Sequence, residues 1–302
     1  MLLQLLFVLV AIIIGARVGG IGLGILGGLG LAVLTFVFGL QPTAPPIDVM
    51  LMIVAVIAAA SCMQAAGGLD LMVKWAEKIL RKNPHHITLL SPFVTYFFTF
   101  FAGTGHVAYS VLPVIAEVAK DTGIRPERPL GIAVIASQQA ITASPISAAT
   151  VAMLSMLAGY NISLFDILKI SIPCTLAGVL LGALYSMKVG KELKDDPEYQ
   201  RRLAAGEISG DGYHTTEVAS HGKALTSVIL FLAATIGIVL FGFIDGLRPT
   251  FTTAQGEVQM EMSHIIEVLM LSAASLILLF TKTDGIKAAK GSVFNAGMQA
   301  VV

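Results

Sequence analysis

Polar residues interrupt two otherwise apolar segments, and these residues have the types and spacing that could do chemistry. The first interruption runs from Gly103 to His106, and the second includes Ser137 to Gln139 and Thr142 to Ser147. Backbone N–H, hydroxyl, amide and imidazole groups can all donate hydrogen bonds. A helix that begins at such an interruption adds unpaired N–H groups and the positive end of its dipole. The two interruptions therefore predict a site that binds an anion.

The candidate site residues each supply a polar donor or part of a backbone break. They are Gly103, Thr104, Gly105, His106, Gln138, Gln139, Thr142, Ser144, Pro145 and Ser147. His106 is the ionisable member, and a charge at the membrane midplane costs at least ~2.5 kcal/mol on an isolated helix. When neutral it could donate to a carboxylate, and when protonated it could couple transport to protons. Two simpler interpretations stay open, a histidine bonded to a neighbouring helix and a Ser144-Pro145 kink that binds nothing.

The composition is that of a membrane protein. Of the 302 residues, 56% are hydrophobic and 13% are charged, whereas about 25% are charged in soluble domains. The formal net charge is zero, which gives no indication of a nucleic-acid partner. Cys62 and Cys174 lie in apolar runs away from metal-ligand spacing, so we expect packing cysteines. Nucleophile, phosphate-loop and zinc motifs are missing, so the sequence supports neither an enzyme nor a bound cofactor.

The interruptions need surrounding helices, because a bilayer tolerates non-helical backbone only where protein or a water-filled cavity covers it. The arms that flank the first interruption are shorter than the roughly 20 residues of a full span, which favours a re-entrant hairpin over 88–118. Residues 130–159 can cross once as a helix broken at Ser144-Pro145, because proline disfavours helix at the preceding residue. The sequence therefore predicts an all-α polytopic membrane protein with about seven transmembrane helices, one re-entrant helical hairpin and one discontinuous helix. The other predicted spans are 2–14, 18–40, 49–66, 164–187, 225–244 and 265–280.

The basic residues predict the orientation. All but Lys169 and Arg248 of the 19 Lys and Arg residues fall on one side of these spans. That side is cytoplasmic by the positive-inside rule, which places the N-terminus in the periplasm and the 188–223 loop in the cytoplasm. Residues 69–82 form a basic amphipathic helix expected at the membrane surface. The first segment has no basic n-region, so we expect a retained span and not a signal peptide.

Longer motifs resemble the anaerobic C4-dicarboxylate transporter (Dcu) family of bacterial inner membranes. His106 and the Arg125–Pro129 run resemble its DcuB-type branch most closely. The resemblance implies secondary active antiport or uptake of fumarate, malate, aspartate and succinate during anaerobic respiration. It also implies two inverted repeats, each with a re-entrant hairpin and a broken helix. The motifs are Gly15–Gly20, Gln64–Asp70, Phe101–His106, Leu112–Ile115, Ile124–Pro129, Ile141–Ser147 and Asp195–Glu198.

The resemblance also implies a domain layout. Residues 1–187 form an N-terminal membrane repeat with the hairpin and the broken helix, and residues 188–223 form a cytoplasmic linker. Residues 224–302 then begin a C-terminal repeat that we expect to be truncated, because the chain resembles about two thirds of a family member. The expected location is the bacterial inner membrane, as a multi-pass protein.

The expected partners are C4-dicarboxylate substrates and the lipid bilayer, with a homo-oligomer and a sensor kinase as further candidates and no nucleic acid. A coupling ion, Na⁺ or H⁺, stays open. Two alternatives to a transporter remain. One is a non-transporting membrane subunit associated with a sensor, because DcuB-type members are linked to dicarboxylate sensing. The other is an inactive truncated fragment of such a transporter.

Overall fold

The computed structural model describes residues 2–19, 21–42, 44, 47–157, 160, 162–206, 220–253 and 256–298, and the chain is mostly helical. Short 3₁₀ turns lie at Pro84–His86, Leu193–Asp195 and Asp245–Leu247. The helices are α1 Leu2–Val18, α2 Gly22–Phe36, α3 Ile47–Ala65, α4 Gly68–Lys82, α5 Ile87–Ala102, α6 His106–Asp121, α7 Glu127–Ala143, α8 Ala148–Met156, α9 Leu164–Ser186, α10 Pro197–Ala204, α11 His221–Phe243, α12 Met262–Thr281, α13 Gly285–Ala289 and α14 Ser292–Met298.

Within these described ranges, four helices are long and apolar enough to cross a bilayer. They are α3, α9, α11 and α12, of 19, 23, 23 and 20 residues. Helices α1 and α2 are also apolar but have 17 and 15 residues, short of the roughly 20 residues of a perpendicular span. These helices support a polytopic membrane protein. The finer prediction of about seven spans stays a prediction.

The fold departs from the all-α prediction in the connection between α11 and α12. Strand β1, Thr250–Thr253, pairs antiparallel with strand β2, Gly256–Gln259. Thr252, Phe251 and Val258 are β-branched or aromatic residues, which favour the extended backbone of a strand. Sequence reasoning based on long apolar runs did not detect so short a hairpin.

The core is built around α3, α11 and α12, which pack on one another. The amphipathic helix α4 lies beside them and buries Leu69, Leu71 and Leu80. The turn between α3 and α4 packs closely on α11, because a Cβ at Gly68 would lie 2.5 Å from the Ser227 hydroxyl. Helices α5 to α9 pack mainly on one another, and they meet this cluster where α6 packs on α4 and α8 packs on α3.

Helices α5 and α7 run parallel and are joined by hydrogen bonds. Ser91 Oγ donates to the Pro129 carbonyl at 3.1 Å, and one turn later Thr95 Oγ1 donates to the Ala133 carbonyl at 2.9 Å. The partners advance by four residues in both helices, which shows that the helices point the same way. Their C-terminal ends therefore reach the same level.

Thr95 and Thr99 offer a matched test of this joint. Thr99 lies one turn beyond Thr95, and its buried hydroxyl has no hydrogen-bond partner among the described residues. Thr95→Val is expected to lower the free energy of unfolding by about 1 kcal/mol, because the cross-helix bond is lost. Thr99→Val should be neutral or stabilising, because it removes an unsatisfied hydroxyl. Denaturant titration of each variant in detergent measures both, and equal destabilisation would contradict the assignment.

An arginine clamp joins the start of α7 to the segment that follows α9. Arg128 is 8% exposed. Its guanidinium donates to the Val189 carbonyl at 2.5 Å, the Gly190 carbonyl at 2.8 Å and Glu192 Oε1 at 2.7 Å. The planar fork of arginine suits three such acceptors, whereas a lysine ammonium cannot match their geometry.

Removing this clamp is expected to destabilise the fold. Arg128→Met should lower the free energy of unfolding by about 2 kcal/mol, because a buried side chain loses three hydrogen bonds that join α7 to the segment after α9. Arg128→Lys should recover only part of that loss. Arg201→Met is the control, since Arg201 pairs with Glu198 on an exposed surface, where ion pairs contribute little. Thermal unfolding in detergent compares the three, and a loss no larger for Arg128→Met than for Arg201→Met would contradict the clamp.

Asp196 is the N-cap of α10, and Pro197 is the first helical residue. Asp196 Oδ1 accepts the N–H groups of Glu198 at 3.0 Å and Tyr199 at 3.3 Å, which caps α10. The Tyr199 N–H bond, helped by the Arg125 guanidinium, holds the pKa of the Asp196 carboxyl below its ordinary value. The cap is therefore present at neutral pH and is lost as the pH falls through that lowered pKa.

Candidate functional site

The two interruptions are helix breaks, and they lie side by side. Helix α5 ends at Ala102 and α6 begins at His106, while α7 ends at Ala143 and α8 begins at Ala148. Ser144, the residue before Pro145, is extended with φ −78° and ψ 130°, as expected for a residue that precedes proline. Because α5 and α7 are parallel and in register, both breaks fall at one level of the fold.

Direct contact between the breaks depends on Gly103. Its φ is +68°, in the left-handed region that glycine adopts readily. A Cβ at this position would lie 2.8 Å from Ile146 Cγ1 and 3.1 Å from the Ile146 carbonyl oxygen. The first break can therefore approach the second only with glycine at position 103.

A cavity of about 360 Å³ lies where the breaks meet. Both breaks line it, together with one face of α3 and part of α14. Among the described residues that line it, none is Asp, Glu, Lys or Arg. The lining residues are Ile53, Val56, Ile57, Ala60, Gly103, Thr104, Gly105, Tyr109, Gln138, Ile141, Ile146, Ala148, Val293 and Gly297.

Four of the predicted site residues line this cavity: Gly103, Thr104, Gly105 and Gln138. Gln138 lies directly against the first break, because a Cβ at Gly105 would be 3.0 Å from Gln138 Nε2. The backbone of His106 begins α6 beside these residues. The side chain of His106 lies outside the described residues, so its predicted contact with a ligand stays a prediction.

The predicted serines are engaged inside the second break. Ser144 Oγ donates to the Phe100 carbonyl at 2.6 Å and so ties the end of α5 to the end of α7. Ser147 Oγ donates to the Ile141 carbonyl at 2.5 Å and accepts the Thr150 N–H at 3.2 Å, which caps α8. Both serines are buried, and their hydroxyls donate to carbonyl groups in the last turns of α5 and α7. In this arrangement they hold the break and do not line the cavity.

The remaining predicted residues lie away from the lining. Pro145 is buried within the break, and Gln139 and Thr142 are exposed. Thr142 Oγ1 donates to the Gln139 carbonyl of its own helix at 2.7 Å. All three neighbour the breaks in sequence, but the helical turn places Gln139 and Thr142 outside the cavity lining, and Pro145 is enclosed in the break.

Sequence reasoning missed every lining residue that α3 and α14 contribute, and it also missed Tyr109, Ile141, Ile146 and Ala148. Tyr109 lies one turn after the start of α6, so helical periodicity applied from Gly105 could have found it. The contributions of α3 and α14 come from distant parts of the chain, and no local signal predicts them.

The helix starts at the breaks favour an anion in a cavity whose lining is otherwise mostly apolar. Helices α6 and α8 both begin at the breaks, so their positive ends are at this level. Thr104, Tyr109 and Gln138, whose side chains carry hydroxyl or amide groups, are among the lining residues. Within the described part of the chain, no group of three or more His, Cys, Asp or Glu comes together to hold a metal ion.

Comparison with known proteins gives one consistent family. The family model described as anaerobic C4-dicarboxylate membrane transporter matches residues 1–302. The C4-dicarboxylate transporter DcuA of Escherichia coli (strain K12) is 46% identical over 303 residues, covering 100% of this chain and 69% of that protein. DcuA of Wolinella succinogenes is 44% identical over 299 residues, covering 99% of this chain and 68% of that protein.

The anaerobic C4-dicarboxylate transporter DcuB of Escherichia coli O157:H7 is 42% identical over 309 residues, covering 99% of this chain and 68% of that protein. These identities do not separate a DcuB-type from a DcuA-type branch. No solved structure matches the chain. The expected family is confirmed, and the chain belongs to the anaerobic C4-dicarboxylate membrane transporters of the DcuA and DcuB type.

Proposed function

We propose that this protein is a secondary transporter that exchanges or takes up C4-dicarboxylates, with the substrate bound in the cavity between the helix breaks. The observation that carries the proposal is the meeting of the two breaks at one cavity, in a chain of this family. The substrates proposed are fumarate, malate, aspartate and succinate.

The chemistry of the lining suits reversible binding of a dianion. Among the described residues, the positive ends of α6 and α8 and the amide of Gln138 are placed to attract carboxylates, and no Lys or Arg lines the cavity. A buried arginine or lysine would bind a carboxylate more strongly. Neutral donors therefore favour release as well as capture, which a transporter needs.

The proposed setting is the bacterial inner membrane, with the N-terminus in the periplasm and the α5–α6 hairpin re-entering from the cytoplasm. The one-sided distribution of the basic residues supports this orientation. The shortness of α5 and α6, 16 residues each, supports the re-entrant hairpin. Coupling to Na⁺ or H⁺, a homo-oligomer and a sensor kinase partner remain expectations.

Counterflow tests the proposed function. The full chain is purified into proteoliposomes preloaded with unlabelled fumarate, and uptake of labelled succinate is measured against protein-free liposomes. The expected result is transient accumulation of label above the equilibrium level. Binding of succinate without uptake would support the sensor-associated subunit instead. Failure of the folded protein both to bind and to transport would overturn the proposal.

A further inference from the structure

Gln64, near the C-terminal end of α3, is hydrogen-bonded to the first turn of α14. Its Nε2 donates to Ser292 Oγ at 2.8 Å, and its Oε1 accepts the Val293 N–H at 3.2 Å. The amide of Gln64 thus donates one hydrogen bond to α14 and accepts another from the next residue of that helix. Gln64 belongs to the sequence motif Gln64–Asp70, and no residue of this motif is among those that line the cavity.

Helix α14 is seated on α3 at the level of the cavity. A Cβ at Gly297 would lie 2.7 Å from Ile57 Cγ1, and a Cβ at Gly291 would lie 2.8 Å from Gln64 Oε1. Val293 is therefore near Gln64 and Gly297 is near Ile57, so α14 runs antiparallel to α3. Val293 and Gly297 also line the cavity, on the wall that α14 shares with α3.

The position of α14 depends on contacts such as these. Within the described residues, α14 packs on α3 and on the short helix α13. The two hydrogen bonds of Gln64 join the first turn of α14 to the 19-residue helix α3, so they fix the position of the cavity wall that α14 forms. The close approach at Gly297 then orients the rest of α14 towards the breaks.

We infer that Gln64 is a positioning residue for dicarboxylate binding, which acts by holding α14 as a wall of the cavity. This inference rests on the proposed function, because it assigns the wall to the substrate site. Gln64 does not line the cavity, so its effect on substrate is indirect. A displaced wall admits water and weakens the hold on the substrate, which raises KM more than it lowers kcat.

Three variants in the full chain test the inference by counterflow. Gln64→Leu keeps the approximate size but loses both bonds, and it should raise KM for succinate about tenfold with kcat within about twofold. Gln64→Glu can still accept the Val293 N–H and the Ser292 hydroxyl, so its KM should lie below that of Gln64→Leu, although its negative charge opposes a dianion and limits the recovery. Ser292→Ala loses one bond at an exposed side chain and should raise KM about threefold. An unchanged KM in Gln64→Leu would overturn the inference.

A labelling experiment separates wall position from stability and from the proposed function. Val293→Cys is made in a chain carrying Cys62→Ala and Cys174→Ser, and its rate of reaction with a maleimide is measured with and without succinate. Adding Gln64→Leu should speed labelling at least threefold and remove protection by succinate. Unchanged labelling would overturn the inference even if Gln64→Leu lowered the thermal midpoint. If the parent shows neither transport nor protection, the proposed function fails, while the labelling rates without succinate still test the wall.

Discussion

Replacing Gly103 with alanine is expected to lower the rate of succinate counterflow by about a hundredfold. The backbone at Gly103 has φ +68°, where a residue with a Cβ pays roughly 1–2 kcal/mol. The new methyl group would also lie 2.8 Å from Ile146 Cγ1 and 3.1 Å from the Ile146 carbonyl oxygen. Because the carbonyl belongs to the backbone, the two breaks must move apart. A shift of roughly 1 Å at a binding site can cost about a hundredfold in rate.

Gly123→Ala is the matched control for this prediction. Gly123 also has a left-handed backbone, with φ +72°, but nothing lies within 4 Å of a Cβ placed there. Gly123→Ala therefore introduces the same backbone strain, in the turn that follows α6, but no steric clash. It should lower the thermal midpoint slightly and leave counterflow within about twofold of the original rate. If Gly103→Ala behaves like Gly123→Ala, contact between the breaks is not needed for transport.

The positions of the breaks could be predicted from the sequence because local rules govern them. Glycine supplies the left-handed residue that ends α5, and Pro145 forces Ser144 out of the helix that precedes it. Both rules act over two or three residues, so neither needs tertiary information. The cap at Asp196 was predictable for the same reason.

The arrangement of the breaks relative to each other could not be predicted in this way. Their common level depends on the register of α5 against α7, which the bonds of Ser91 and Thr95 to α7 carbonyls establish. The walls from α3 and α14 depend on contacts across more than 200 residues of chain, such as that of Gln64 with Ser292. No local pattern encodes such contacts.

The roles of individual polar residues also needed the structure. Ser144 and Ser147 share their types with residues that bind ligands, yet the structure engages their hydroxyls on helix-end carbonyls. Residue type indicates that a group can donate a hydrogen bond, but only the fold shows which acceptor receives it. The same limit applies to Gln138 and Gln139, which are adjacent and chemically identical.

Replacing Gln138 with leucine is expected to raise KM for succinate by roughly tenfold to a hundredfold. Gln138 lines the cavity, and its Nε2 would be 3.0 Å from a Cβ at Gly105 in the first break. Its amide is thus placed to donate to a carboxylate bound at the breaks. A hydrogen bond to a charged group contributes about 1.5–3 kcal/mol, which corresponds to that range of KM. Leucine has a similar size, so the cavity should keep its shape.

Gln139→Leu supplies the control, because Gln139 has the same chemistry and is exposed like Gln138 but does not line the cavity. Its KM should stay within about twofold of the original value. Both variants are measured by succinate counterflow over a range of concentrations, with thermal midpoints recorded to show that each is folded. An equal or larger effect for Gln139→Leu would place the substrate on the other face of α7 and would exclude this cavity as its site. A selective effect at Gln138 would instead tie dicarboxylate affinity to the surface where the two helix breaks meet.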